Sequence, residues 1–191
     1  MDVERLADRV THKVALQGGQ GRMKEAILYV CQKAAGFSHF GLVKLNKILW
    51  RSDFQSYRER KIPVTGRQYQ RQPQGPVAVD MPPLLNDMLG SGLLDWGQTN
   101  VPNERRPVAK ANPMMKWFSP DDIRYLDEAI AHYQHLTASD ASNQSHGTAW
   151  DVRENGDPMP YESALLADGA LPNEVYEKMM SVGNKKGWRS H

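Results

Sequence analysis

The stretch FGLVKLNKILWRSDFQSYRERKIPVTGRQYQRQPQGPV, residues 40–77, sets the architecture. Its first half predicts a helix over about 40–60. Leu42, Leu45, Leu49 and Ser52 form one row at helical spacing, and Val43, Trp50, Phe54 and Tyr57 form a second. Two apolar rows predict a central helix covered on two sides. Lys44, Lys47, Arg51, Arg58, Arg60 and Lys61 are then expected to supply its polar face. Pro63 ends the helix, because proline cannot donate to it and disfavours helical geometry in the residue before. Residues 64–77 read as a turn-rich connector punctuated by Gly66 and Gly75-Pro76. Within it Arg67, Tyr69 and Arg71 alternate, as on one side of a short strand.

Upstream, Val3, Leu6, Val10 and Val14 predict a helix over 2–16 that the run GGQG at 18–21 would end. Met23, Ile27, Val30, Cys31 and Ala34 share one face of a second helix over 22–35, with Leu28 widening the stripe and Gly36 expected at its left-handed end. Downstream, 78–89 predicts a short helix that tolerates Pro82 and Pro83 in its first turn. LLDWGQ and RRPVAKANP, inside 93–118, predict a β-hairpin confined to an edge by its prolines. Ser119-Pro120-Asp121-Asp122 starts a helix to about 134 with a stripe of Ile123, Leu126, Ala129, Ile130 and Tyr133. Thr137 and Asp140 repeat the capping pattern for a shorter helix reaching His146. PYESALLAD reads as one more short helical turn, and 173–182 as a terminal helix.

The expected fold is therefore mainly α, a compact helical domain with a small β-hairpin or short antiparallel sheet. It divides into an N-terminal helix and Gly-rich linker (1–21), a helical domain (22–165) and a C-terminal helix and tail (166–191).

Totals narrow the function classes. A formal charge of +2 on 191 residues argues for neither a strongly basic nor a strongly acidic partner. Cys31 is the only cysteine, so neither an internal disulfide nor a cysteine-based zinc site can form; this fits a reducing cytoplasm. The first 25 residues carry charges and no apolar run, so no signal peptide is expected. No run reaches the 18 or so apolar residues of a membrane span.

Chemistry-bearing residues are sparse. His132 and His135 are three apart on a helix and could present two metal ligands, but no third ligand follows in a known pattern; solvated surface histidines fit them better. His146 could serve as a general base, yet no nucleophile, phosphate-loop, zinc-protease or dinucleotide motif accompanies it. A structural histidine packed beside Trp150 is the plainer reading. Cys31 falls inside an apolar stripe and reads as a small core residue. Arg58, Arg60, Lys61, Arg67 and Arg71, with Tyr57 and Tyr69, could grip phosphates and stack bases. A solvated helix face or a carboxylate-rich partner would explain them too. Seven acids between 151 and 177 face only Arg153; they could steer a basic partner or simply solubilise loops.

Four segments, in order, resemble the Panacea antitoxin domain family, which includes SocA-like and phage-associated antitoxins. They are Leu42–Trp50 with Lys44, Leu45 and Leu49; Pro63–Gly66 followed by Tyr69 and Gly75-Pro76-Val77; Ser119–Tyr133; and Leu136-Thr137 with Ser145-His146 and Trp150. Asn46, Trp50 and the long 93–118 region depart from the pattern. The resemblance implies a mainly helical domain without enzymatic activity or cofactor. It implies an antitoxin that neutralises a separately encoded toxin by binding it, in the cytoplasm. The alternatives are a nucleic-acid-binding regulator and an adaptor that hands the toxin to a cytoplasmic protease. On this reading Arg67, Tyr69 and Arg71 are the first candidates for partner contact, because exposed aromatic and arginine side chains dominate interface energies. Lys44, Leu45, Leu49, Gly75, Pro76, His146 and Trp150 are the family's structural motif.

Overall fold

The computed structural model describes residues 10–165 and Ser181. The fold is mainly helical with small antiparallel sheets, as the sequence led us to expect. In chain order come α1 (Gly19–Lys33), α2 (Leu42–Arg60), β1 (Tyr69–Gln70), β2 (Val77–Ala78), α3 (Met81–Gly90), β3 (Leu94–Gly97) and β4 (Arg106–Ala109). There follow α4 (Pro120–Tyr133), α5 (Ala138–Gln144), α6 (Thr148–Asp151), β5 (Pro158–Met159) and a 3₁₀ turn at Tyr161–Leu165.

Helix α2 is the hub. It packs against α1, α4, α5, β2 and the 3₁₀ turn. Both of its apolar rows face inward: Leu45, Ile48 and Leu49 are fully buried on one side, and Phe54 on the other. Burying one such side chain contributes about 1.5–3 kcal/mol. The α1 stripe of Met23, Ile27, Val30, Cys31 and Ala34 and the α4 stripe around Leu126, Ala129 and Tyr133 close over it. Burial pushes the Cys31 thiol up to about 12, which suits the core residue expected there.

The sheets are small. Strand β1 lies between β2 and β5, all antiparallel, with Tyr69 opposite Ala78 and Met159. The hairpin β3–β4 pairs Leu94 with Ala109 through Gly97 with Arg106. Helix α3 carries its prolines in the first turn, and α4 and α5 both start with complete capping boxes, Ser119 with Asp122 and Thr137 with Asp140.

Two expectations upstream are corrected. Residues 10–16, expected to be helical, are extended; 1–9 lie outside the described residues. The Thr11 carbonyl accepts from the Tyr161 backbone at 2.9 Å, and the Val14 amide donates to the Gly66 carbonyl at 3.0 Å, so this segment satisfies its backbone across the domain instead of within a helix. The GGQG run starts a helix rather than ending one. Gly18 takes a left-handed φ of 90°, and the Trp117 ring covers Gly18 and Gly21 where a side chain would stand. At its far end α1 stops on Lys33 with Ala34 as C-cap, not on a left-handed Gly36. The expected 173–182 helix lies outside the described residues, apart from a helical Ser181.

Asp122 fastens three helices together. Within its own capping box it accepts from the Ser119 amide at 2.9 Å. Its carboxylate also accepts from Arg22 of α1 at 2.8 Å and from Arg60 of α2 at 2.5 Å. Arg22 is itself buried, lies over the Phe118 ring and donates to the Val64 carbonyl. Burial works to raise the Asp122 pKa, but the bonds from Arg60 and Ser119 and the charge of Arg22 outweigh it, and the net direction is down.

Removing Asp122 would leave Arg22 buried and unpaired. Asp122→Ala is expected to cost about 3–5 kcal/mol in urea unfolding at pH 7. Because the folded-state pKa is depressed, this contribution is present above the ordinary aspartate range and is lost as pH falls through it. Arg124→Ala, which removes exposed pairs with Asp121 and Glu128 and the guanidinium over the Tyr125 ring, is expected to shift the urea midpoint far less than Asp122→Ala.

Candidate partner-binding groove

The connector candidates turn inward. Tyr69 is 1% exposed and donates to Asp53 at 2.9 Å. Arg67 is 7% exposed and pairs with Asp80 at 3.2 Å. Arg71 lies over the Trp150 ring at 3.6 Å, donates to the Trp150 carbonyl at 3.2 Å and reaches Asn155. These three therefore hold the connector to the domain and are not the free partner-contact groups they were expected to be. Alternation in the connector sets which side chains share a side but not which side faces the core, and the fold turns Tyr69 to Asp53 and Arg67 to Asp80.

The polar face expected on α2 is corrected in the same way. Lys44 and Lys47 are each 1% exposed. The Lys44 ammonium approaches the Gln134 carbonyl at 3.3 Å and the Phe37 ring, and desolvation lowers its pKa. Lys47 donates to the Pro76 carbonyl at 3.3 Å, and no acidic side chain pairs with it among the described residues. Burial drives its pKa down to about 7. One and a half turns on, Asp53 is fully buried and accepts from the Thr65 amide and hydroxyl as well as from Tyr69; desolvation lifts it to about 6 against those bonds.

Lys47 and the motif residues Gly75, Pro76, His146 and Trp150 converge on one place. Gly75 has a φ of 95°, and a Cβ there would collide with the Ser145 hydroxyl and the Lys47 ammonium. Only glycine fits both the dihedral and the space. His146 stacks on Trp150 with centroids 3.8 Å apart and planes 14° apart, the neighbour the sequence gives it. Desolvation, then the charge of Lys47, lowers the His146 pKa. The Trp150 indole donates to the Gln72 carbonyl at 3.1 Å. Lys44, Leu45 and Leu49 belong to the core beneath. His132 and His135 are both exposed, and His132 contacts Gln144 at 2.9 Å. Among the described residues no group of three or more His, Cys, Asp or Glu could hold a metal.

Beside this cluster opens a groove of about 320 Å³. From α2 it takes Trp50, Arg51, Phe54, Gln55, Arg58 and Glu59; Ser145, Trp150, Met159 and Ala164 are among the residues opposite. Beneath it lies an aromatic cluster in which Phe54 meets Trp50 at 5.5 Å, Tyr69 at 5.6 Å and Tyr161 at 5.1 Å. The sequence held one signal for it. Trp50, Phe54 and Tyr57 form the second apolar row, and Arg51 and Arg58 flank that row on the same side of the helix. The row reads as core from spacing alone, whereas the structure leaves Trp50 and Tyr57 half-buried.

A family model described as antitoxin SocA-like, Panacea domain, matches residues 45–151, more than half of the chain. No curated protein and no solved structure matches it.

The buried Lys47 has a measurable pH signature. Its folded-state pKa lies below the unfolded value of about 10.4, so its cost is full below pH 7 and fades as pH climbs towards 10. Lys47→Met is expected to be more stable than the parent at pH 6.5, by up to about 4 kcal/mol, with the gain shrinking by pH 10. An equal difference at both pH values, in urea unfolding, would show that Lys47 is solvated.

Proposed function

Because the chain belongs to the antitoxin SocA-like Panacea family, we propose that it neutralises a cognate toxin by binding it directly as a folded protein. The family match over residues 45–151 carries this reading. The matched region includes most of α2, the connector, α4 and the His146–Trp150 stack, and the groove beside them, which also takes Met159, Ser163 and Ala164 from beyond the match, supplies a preformed concave surface. A rigid scaffold of this kind binds with little ordering cost. In this reading the protein acts by binding and not by catalysis; His146 stacks on Trp150 and contacts the Ser142 hydroxyl at 3.4 Å. The protein works in the same compartment as its toxin, and among the described residues no helix is long and apolar enough to cross a membrane.

The basic run does not favour nucleic acid. Arg60 is taken by Asp122, Arg67 by Asp80 and Arg71 by Trp150 and Asn155, so only Arg58 and Lys61 of the five remain turned to solvent. A phosphate track needs several free cations in sequence.

Co-expression with the toxic product of the adjacent gene is expected to restore growth, and the two proteins are expected to co-purify. Failure of both would sink the proposal. Rescue without a complex would point to an indirect mechanism.

A further inference from the structure

The groove along α2 carries more free positive charge than its lining can neutralise. Arg51 and Arg58 line it, and neither has a carboxylate within ion-pair distance among the described residues. Glu59 also lines it, accepting from the Tyr125 hydroxyl at 2.6 Å and from Gln55 at 3.4 Å; its charge interacts with Arg58 and offsets one of the two cations, which leaves the groove net positive. Two further donors on lining residues, Trp50 Nε1 and Arg51 Nε, are buried and meet no acceptor among the described residues. Buried donors without acceptors are costly. The apolar part of the lining is Trp50, Phe54, Ala149, Trp150, Met159 and Ala164, with Gln55, Gln144, Ser145 and Ser163 as neutral polar groups among them.

This combination selects the occupant. A nucleic-acid strand needs open aromatic faces and a row of cations. Here Trp150 is already stacked by both Arg71 and His146, and Phe54 is only 5% exposed among three other rings. Two guanidiniums beside an apolar floor match a carboxylate next to a large apolar side chain instead. We propose that the α2 groove receives a segment of the toxin in which an aspartate or glutamate adjoins a large apolar residue. The carboxylate lies on Arg51 and Arg58, and the apolar side chain sits against the half-buried Trp50, Ala149 and Ala164. This rests on the antitoxin reading above.

The test uses the full-length chain and the toxic product of the adjacent gene, with the dissociation constant as readout. Arg58 is exposed, so Arg58→Glu leaves the fold intact; it is expected to weaken the complex at least about 10-fold. Arg51→Glu should do the same, and where that variant folds poorly Arg58→Glu alone decides. Arg105→Glu, on the hairpin side, should change affinity by less than about twofold. An acid-to-arginine change in the toxin segment should restore binding to Arg58→Glu. If Arg58→Glu binds and protects like the parent, the groove assignment falls while the antitoxin reading stands. Absence of any complex with the parent protein overturns both. Displacement of the toxin by a 20-nucleotide single strand, or an Arg58-dependent self-association of the chain, would assign the groove to another occupant and overturn the proposal.

Discussion

Burial of helix α2 along most of its length is the constraint on which the rest of the structure depends. The helix carries Lys44, Lys47 and Asp53 into the interior together with Leu45, Ile48 and Leu49. None of those three charged groups pairs with an opposite charge among the described residues. Each is satisfied by something the connector or a neighbouring helix provides: the Pro76 carbonyl for Lys47, the Gln134 carbonyl for Lys44, and Thr65 with Tyr69 for Asp53. Polar groups held in this way are expensive to misplace, so they fix one arrangement of the connector around the helix. Gly75 follows from that arrangement, since no larger residue fits between Lys47 and Ser145.

The same constraint bears on the proposed docking site. Connector groups that look available, Tyr69, Arg67 and Arg71, are consumed in holding the scaffold. What remains open on α2 is the flank from Trp50 to Glu59, where α5, α6 and the 3₁₀ turn leave a groove instead of closing over the helix. The groove is therefore bordered by buried residues of α2, among them Phe54. A firmly held site loses little entropy on binding, and in it Arg51 and Arg58 can select by charge.

Much of this was legible in the sequence because the local rules and the fold agree. The capping boxes at Ser119 and Thr137, the prolines opening α3, the edge hairpin and the double apolar row of α2 each follow from residue chemistry. The family was legible from four short segments in order, none of them decisive alone. Three features were not legible. The helix expected over 2–16 gave way, from residue 10 on, to an extended segment tied to Gly66 and Tyr161, long-range partners that no local pattern reveals. Lys44 and Lys47 look like solvated positions by residue type, and only the packing of α4 and the connector against them shows otherwise. Arg67 and Tyr69 were misplaced for a related reason: alternation identifies one side of a strand but not which side is buried.

A photo-crosslinking residue placed at Gln55, beside Arg51 and Arg58 on the groove, tests the central claim most directly. The full-length protein would be irradiated in complex with its toxin and the crosslinked peptide identified. The expected result is a crosslink from position 55 to a toxin segment carrying an acidic residue next to a large apolar one, with none from the same probe at Arg105. Crosslinking from position 105 with none from position 55, in a complex that still protects cells, would contradict a groove-borne contact and move the interface to the hairpin.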